Sequence, residues 1–237
     1  MSKTIFFAIT AITCLLSACA QESRKPMQSV NRRSVPVDVA GTASSDNPTA
    51  ALLPISEDEF LRAGRSYKNQ LAKDSLRFTV RNGVLAVPIH QDTIRFTDNA
   101  GVPYDENEKQ HSYYGFLKGL RKHVILLNEY ESQSVLLLDQ RNAKIDTISG
   151  LPLVSPNGKF IFASYQNGYE TYEHMPPPTE DIEVWALKGS DKMKLIFSAP
   201  YKWILQDAHW DTNNSVCIRA GKENTSEQVF WRLTLQR

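Results

Sequence analysis

From Leu76 onward the apolar residues of this chain recur at every second position, and that period restricts what the chain can fold into. Leu76, Phe78 and Val80 alternate with Arg77, Thr79 and Arg81, and Leu85, Val87 and Ile89 alternate with Ala86 and Pro88. Successive side chains of a strand point to opposite faces, so this alternation builds one apolar sheet face, whereas a helix needs a period of 3.6. Asn82-Gly83 lies between the two runs. Both residues tolerate the positive φ of a tight turn, so the reading is a hairpin of 76–81 against 85–89. Pro88 has no amide to donate and places the second arm at an edge or a bulge. A further short strand is expected over 93–97, then a polar loop from Asp98 to Ser112.

The pattern then repeats. Runs at 123–127, 135–138 and 144–148 make one round, 160–164, 184–187 and 194–197 a second, and 216–218 with 229–233 a third. Ser155-Pro156-Asn157-Gly158-Lys159 and Asp211-Thr212-Asn213-Asn214-Ser215 precede the equivalent strand in the second and third rounds. Recurring turn chemistry between short strands means repeated antiparallel sheets. Ser155 to Phe162 (S-P-N-G-K-F-I-F) resembles the S-P-D-G-K-x-I-x-F repeat of TolB-like and WD40-like β-propellers. Trp185 and Trp231 stand where such blades place a third-strand aromatic, and both are expected to be buried. The good match covers one blade of about 45 residues, and the other turns have drifted. The resemblance implies a mainly β domain: a small or incomplete propeller-like stack of antiparallel sheets with one N-terminal amphipathic helix. Four blades is the lower limit for closure, so a curved stack or a sandwich is the other reading.

The helix is read at the start of the domain. Ser56 and Glu59 have capping-box spacing, which satisfies two backbone donors. Phe60, Ala63, Gly64, Tyr67 and Leu71 then share a face at helical spacing. Gly64 weakens such a helix by about 1 kcal/mol relative to alanine.

The N-terminus carries an address. Lys3 precedes an apolar run over 5–16, broken only by Thr10 and Thr13, and Leu16-Ser17-Ala18-Cys19 follows. A run of that length after a positive start reads as a secretory signal and not a spanning helix. L-S-A-C resembles the lipobox of bacterial lipoproteins. That resemblance implies a signal peptide over 1–18, cleavage before Cys19, a diacylglyceryl thioether on Cys19 and a further acyl chain on its amine. Each buried methylene of such chains contributes about 0.8 kcal/mol of anchoring to the lipid bilayer. Ala20, in place of an aspartate, favours the outer membrane, with the domain facing the periplasm. Residues 19–53 are rich in Ser, Thr, Asn, Pro and Ala without an apolar period, and read as a disordered tether ahead of a β domain over 54–237.

Cysteine usage and charge narrow the classes further. The lipobox resemblance implies that Cys14 leaves with the signal and Cys19 carries lipid, so Cys217 is expected to be alone in the folded part, with no intrachain disulfide available to it. It sits in an apolar strand run and reads as a core residue. The net charge of +1, with pairs as sparse as Arg24-Lys25 and Arg32-Arg33, points away from nucleic acid.

Two constellations are candidates for function. Asp207, His209 and Asp211 would share one face of a strand, where they could converge on a metal; equally, the carboxylates could cap turns around a hydrogen-bonded histidine. The insertion between Gln166 and Asp181 separates strands that a short turn should join, and it carries Tyr169, Tyr172, His174, Met175 and the triple proline around Pro177. It reads either as a contact surface on a rigid scaffold or as a solvated loop. No nucleophile elbow, phosphate-binding loop, paired zinc histidines or calcium loop is present, so no cofactor is expected. The expected function is a lipid-anchored, non-catalytic module binding an envelope protein or glycan. A metal- or carboxylate-dependent envelope hydrolase and an inhibitor or immunity lipoprotein are the alternatives.

Overall fold

The computed structural model describes residues 50–99, 107–130, 132–166, 180–188, 192–221 and 226–236. In chain order the first elements are β1 (Ala50–Pro54), α1 (Glu57–Ser66), β2 (Leu71–Lys73), β3 (Val84–Pro88), β4 (Thr93–Thr97), β5 (Lys109–Leu117), β6 (Lys122–Glu129), β7 (Gln133–Asp139) and β8 (Ile145–Ile148). There follow β9 (Leu153–Val154), β10 (Phe160–Gln166), β11 (Glu180–Lys188), β12 (Lys192–Tyr201), β13 (Ile204–Trp210), β14 (Ser215–Gly221) and β15 (Gln228–Leu235). The fold is mainly β, and every strand pair is antiparallel.

A first sheet runs β2-β5-β6-β7-β8, a second β12-β11-β10-β9, and a third β1-β15-β14-β13; β3 and β4 form a separate hairpin. Alternation along the strands gives each sheet two apolar faces, and these faces stack. Leu117, Val124, Val135 and Leu137 of the first sheet pack on Val154, Ile161 and Ala163 of the second. The opposite face of the second sheet, through Phe162, Ile182 and Val184, packs on Trp210, Val216, Ile218 and Leu233 of the third. The hairpin covers the far side of the first sheet with Leu85, Val87 and Phe96. Helix α1 covers the far side of the third with Phe60 and Ala63 against Cys217. The layer order is therefore hairpin, first sheet, second sheet, third sheet, helix.

The repeated turns behave alike. Ser155 N donates to Phe160 O at 2.9 Å and Phe160 N returns a 2.9 Å bond to Ser155 Oγ, while Asp211 N donates to Ser215 O at 2.9 Å. Each closes the connection from the first strand of its sheet to the second.

Five expectations need correction. Asn82 and Gly83 do take positive φ, 51° and 71°, but residues 76–81 form no strand, and β3 pairs with β4 instead. Leu85 and Val87 gain complete burial there, whereas Leu76 is 85% exposed and Phe78 packs edge-on against Tyr113 at 4.8 Å. The helix has its capping box, with Ser56 N donating to Glu59 Oε2 at 3.0 Å and Glu59 N to Ser56 Oγ at 3.3 Å, yet it ends at Ser66. Tyr67 and Leu71 continue as extended chain, because Tyr67 OH donates to Val154 O at 3.1 Å and Gln70 Nε2 to Ser155 O at 3.0 Å. The polar stretch up to Ser112 and the tether up to residue 53 both end in strand, β5 from Lys109 and β1 from Ala50. Finally, Trp185 and Trp231 are half-buried; the sealed tryptophan is Trp210, 1% exposed, with Nε1 donating to Leu153 O at 2.8 Å.

Trp210 thus joins the second and third sheets by both area and a hydrogen bond. Trp210→Ala should destabilise by roughly 3–5 kcal/mol, as large core truncations do. Trp185→Ala and Trp231→Ala should each cost less, an order that denaturant unfolding of the three variants would measure.

Candidate functional site

A cleft lies between α1 and the first strands of the second and third sheets. It holds about 570 Å³ and is lined by Phe60, Leu61, Gly64, Tyr67, Asp207 and His209, among others. A volume of this order suits a small ligand or a few residues of a peptide. Its floor exists because α1 lies unusually close to β13. The position a Gly64 Cβ would occupy is 3.0 Å from His209 Cε1 and 3.3 Å from His209 Nδ1, so a larger residue would meet the imidazole. That close approach is why a mid-helix glycine is present in spite of its cost.

The three residues singled out for metal binding share the helix-covered face of β13 and β14, and each has its own partner. His209 is buried, and its Nε2 donates to the Phe60 carbonyl at 2.9 Å while its ring packs 4.3 Å from the Phe60 ring. Asp207 is paired with Arg219 Nη2 at 3.5 Å, and the Arg219 guanidinium also lies 5.6 Å from the Phe60 ring. Asp211 is ion-paired with Arg232, Oδ2 to Nε at 3.3 Å, and Arg232 reaches Glu59 of the capping box at 3.7 Å. Among the described residues no three His, Cys, Asp or Glu side chains are grouped so as to hold a metal ion. Each carboxylate already has a guanidinium partner, so a cation would also be repelled there. The arrangement bolts a helix to a sheet. Burial pushes the Cys217 thiol beneath it up from its ordinary value, although the Arg232 contact opposes this, so that thiol stays protonated and unreactive.

Tyr169, Tyr172, His174, Met175 and Pro177 lie outside the described residues, as does Cys19. The strands on either side of the insertion are in place: β10 and β11 stay in register up to Gln166↔Glu180. Glu180 is buried at this point and accepts from Leu205 N at 3.2 Å. Burial raises its carboxyl, and the bonds from Leu205 and Ser164 only partly offset that. The base of the insertion is thus tied to β13. Arg219, Arg232 and Glu180 escaped sequence reading, because their roles depend on cross-strand register; Gly64 was the one visible signal of the cleft.

A second recess of about 400 Å³, lined by Lys73, Phe78, Tyr113 and Tyr114 among others, lies beside the first sheet. No protein-family model matches the chain, and neither a curated protein nor a solved structure matches it.

Gly64→Ala should reverse its usual sign. In an open helix it would gain about 1 kcal/mol, but here His209 is held by its bond to Phe60 and has no room to yield. Chemical denaturation should show Gly64→Ala destabilising in the wild-type background and stabilising in a His209→Ala background.

Proposed function

We propose that this chain is a lipid-anchored protein of the bacterial cell envelope whose β domain is a propeller-like stack serving as a non-catalytic binding module for an envelope protein or glycan. The anchor reading rests on the positive start, the apolar run and Leu16-Ser17-Ala18-Cys19. The propeller-like reading is supported by the matching first turns of the second and third sheets. It is supported too by β1, from the domain's start, completing the sheet made by β13 to β15. The observation that carries the binding reading is the clean closure of β10 on β11 at Gln166↔Glu180, tied to β13 through Glu180. A segment rich in tyrosine and proline is therefore offered from a base whose register does not depend on it. Aromatic side chains supply contact area at small entropic cost, and prolines reduce what ordering a loop costs.

Two experiments test this reading. Cys19→Ser should leave the protein as an uncleaved precursor or release it from membranes, since serine accepts no thioether. Fractionation as a mature, detergent-requiring protein would refute the anchor. Replacing residues 167–179 with Asn-Gly should restore a tight hairpin between Gln166 and Glu180. The thermal midpoint should then stay nearly unchanged, while capture of the partner identified by pull-down from envelope extract is lost. Retained capture would move the binding surface elsewhere.

A further inference from the structure

The two ends of the stack are capped by different means, and the hairpin end contains a buried imidazole. His123 of β6 is 2% exposed and sits in a box of aromatic rings: Phe116 at 4.8 Å, Tyr113 at 5.8 Å and Phe78 at 6.0 Å between centroids. Tyr113 Oη lies 3.1 Å from His123 Nδ1. Nε2 makes no hydrogen bond of normal geometry. A ring buried this way is accommodated only as long as it is neutral.

What covers it is weakly held. Residues 74–80 form no regular element, and they present Leu76 and Val80 to solvent while Phe78 closes the box. The β3–β4 hairpin pairs only with itself, and a lone two-stranded hairpin is marginal in water. Among the described residues its polar ties to the first sheet gather at its two ends: His90 N to Gln140 O at 2.9 Å at one, and at the other the paired bonds between Asn99 and Lys109 and the Asp98 carboxylate, which accepts from His111 N at 2.8 Å and lies 2.9 Å from His111 Nδ1. Asp74 N adds one bond to Tyr114 O at 3.0 Å. Otherwise the cover adheres through Leu85, Val87 and Phe96. Segments with few directional ties open first.

We propose that His123 is an acid-sensitive latch, whose protonation releases residues 74–97 from the first sheet and uncovers the apolar face formed by Tyr113, Ile125, Leu136 and Leu138. The groups facing the ring are Arg77 from the cover, Tyr113 and Phe116 from β5, Leu138 across β7 and the Pro88 carbonyl at the end of β3. Asp74 acts on the adjacent Tyr113 hydroxyl. Burial is the main force holding the imidazole near 4, Arg77 adds to it, and the Pro88 carbonyl opposes it. In the open state the ring regains its ordinary value of 6.5. The sign follows from linkage. Closure is fully favoured above pH 6.5 and is lost as pH falls towards about 4, because the open form takes up the proton first. The gap amounts to a roughly 300-fold change in the opening constant. Asp139 and Asp146 titrate below their ordinary 3.8 and so lie outside this window.

Amide hydrogen exchange on the full chain, corrected for intrinsic rates, tests the latch, with amides of β10 and β14 as internal references. Between pH 7.5 and 4.5 the opening constant of β3 and β4 should rise roughly 70-fold relative to those references. In His123→Phe and His123→Gln, which cannot take up a proton, that selective rise should vanish. If β3 and β4 open equally in wild type and variants, or together with β10 and β14, the latch is refuted. Should both variants fold poorly, the ring-carbon shifts of labelled His123 in the wild type decide the matter. A midpoint well below 6.5, with hairpin resonances broadening through the same range, supports the proposal; a ring that titrates at its ordinary value, with the hairpin unmoved, overturns it.

Discussion

A stack of sheets leaves edges and end faces to be covered, and residues 50–73 cover a large share of both. β1 pairs with β15 from Ala50↔Leu235 to Pro54↔Trp231, α1 lies on the outer face of the same sheet, and the extended chain beyond Ser66 crosses to the second. There Tyr67 and Gln70 bond the carbonyls of Val154 and Ser155, before β2 joins β5 of the first sheet. One short segment therefore touches all three sheets. Each such hydrogen bond contributes about 1 kcal/mol net, but leaving a buried carbonyl unpaired would cost more. Burial pushes the Tyr67 hydroxyl up to about 12, so it remains a donor across any ordinary pH. The Tyr67–Val154 bond spans 87 positions of sequence, so forming it closes a long loop at an entropic cost that local contacts do not carry.

Charge is buried elsewhere in the domain, with a different outcome at each place. Lys122, 3% exposed, lies 2.9 Å from Asp146 and 3.8 Å from Asp139, whose other partner is Arg141; Lys144 reaches Asp146 at 2.8 Å. Burial alone would raise both carboxyls, yet Arg141, Lys144 and Lys122 outweigh it and hold them below the ordinary value. The cluster clamps the β7–β8 turn, where Ala143 takes a φ of 61° that a side chain resists. Glu180 has only neutral donors, so burial wins and its carboxyl rises. The number of cationic partners decides the direction. In both places the charge fixes a turn or a strand end.

Alternation revealed which faces are apolar, and the runs at 123–127, 135–138, 160–164 and 184–187 all became central strands. It could not reveal partners. Residues 76–80 alternate as a strand does, but the apolar surface that would have matched them is taken by β4. The first strand of each sheet was the hardest to read. β2 has three residues and β9 two, too short for any period, and β13 carries a register irregularity between Leu205 and Asp207. The site followed the same rule. That Asp207, His209 and Asp211 share a face was legible from their spacing. That Arg219 and Arg232 pair with the two carboxylates depends on which strands lie alongside, and a single sequence leaves that open.

The two caps of the stack hold their histidines differently. At the helix end, His209 Nε2 donates to Phe60 O at 2.9 Å, which satisfies a ring nitrogen inside the cap. Arg232 adds an ion pair to Glu59 in the first turn of α1, and the Arg219 guanidinium lies 5.6 Å from the Phe60 ring, so charge as well as the imidazole bolts α1 to the third sheet. At the hairpin end His123 is enclosed by rings and aliphatic side chains, with the Tyr113 hydroxyl as its hydrogen-bonding partner and Arg77 among the charges acting on it. A proton there adds a charge to a box built for a neutral ring. The difference lies in whether a ring nitrogen of each cap's imidazole donates to a backbone carbonyl at normal geometry.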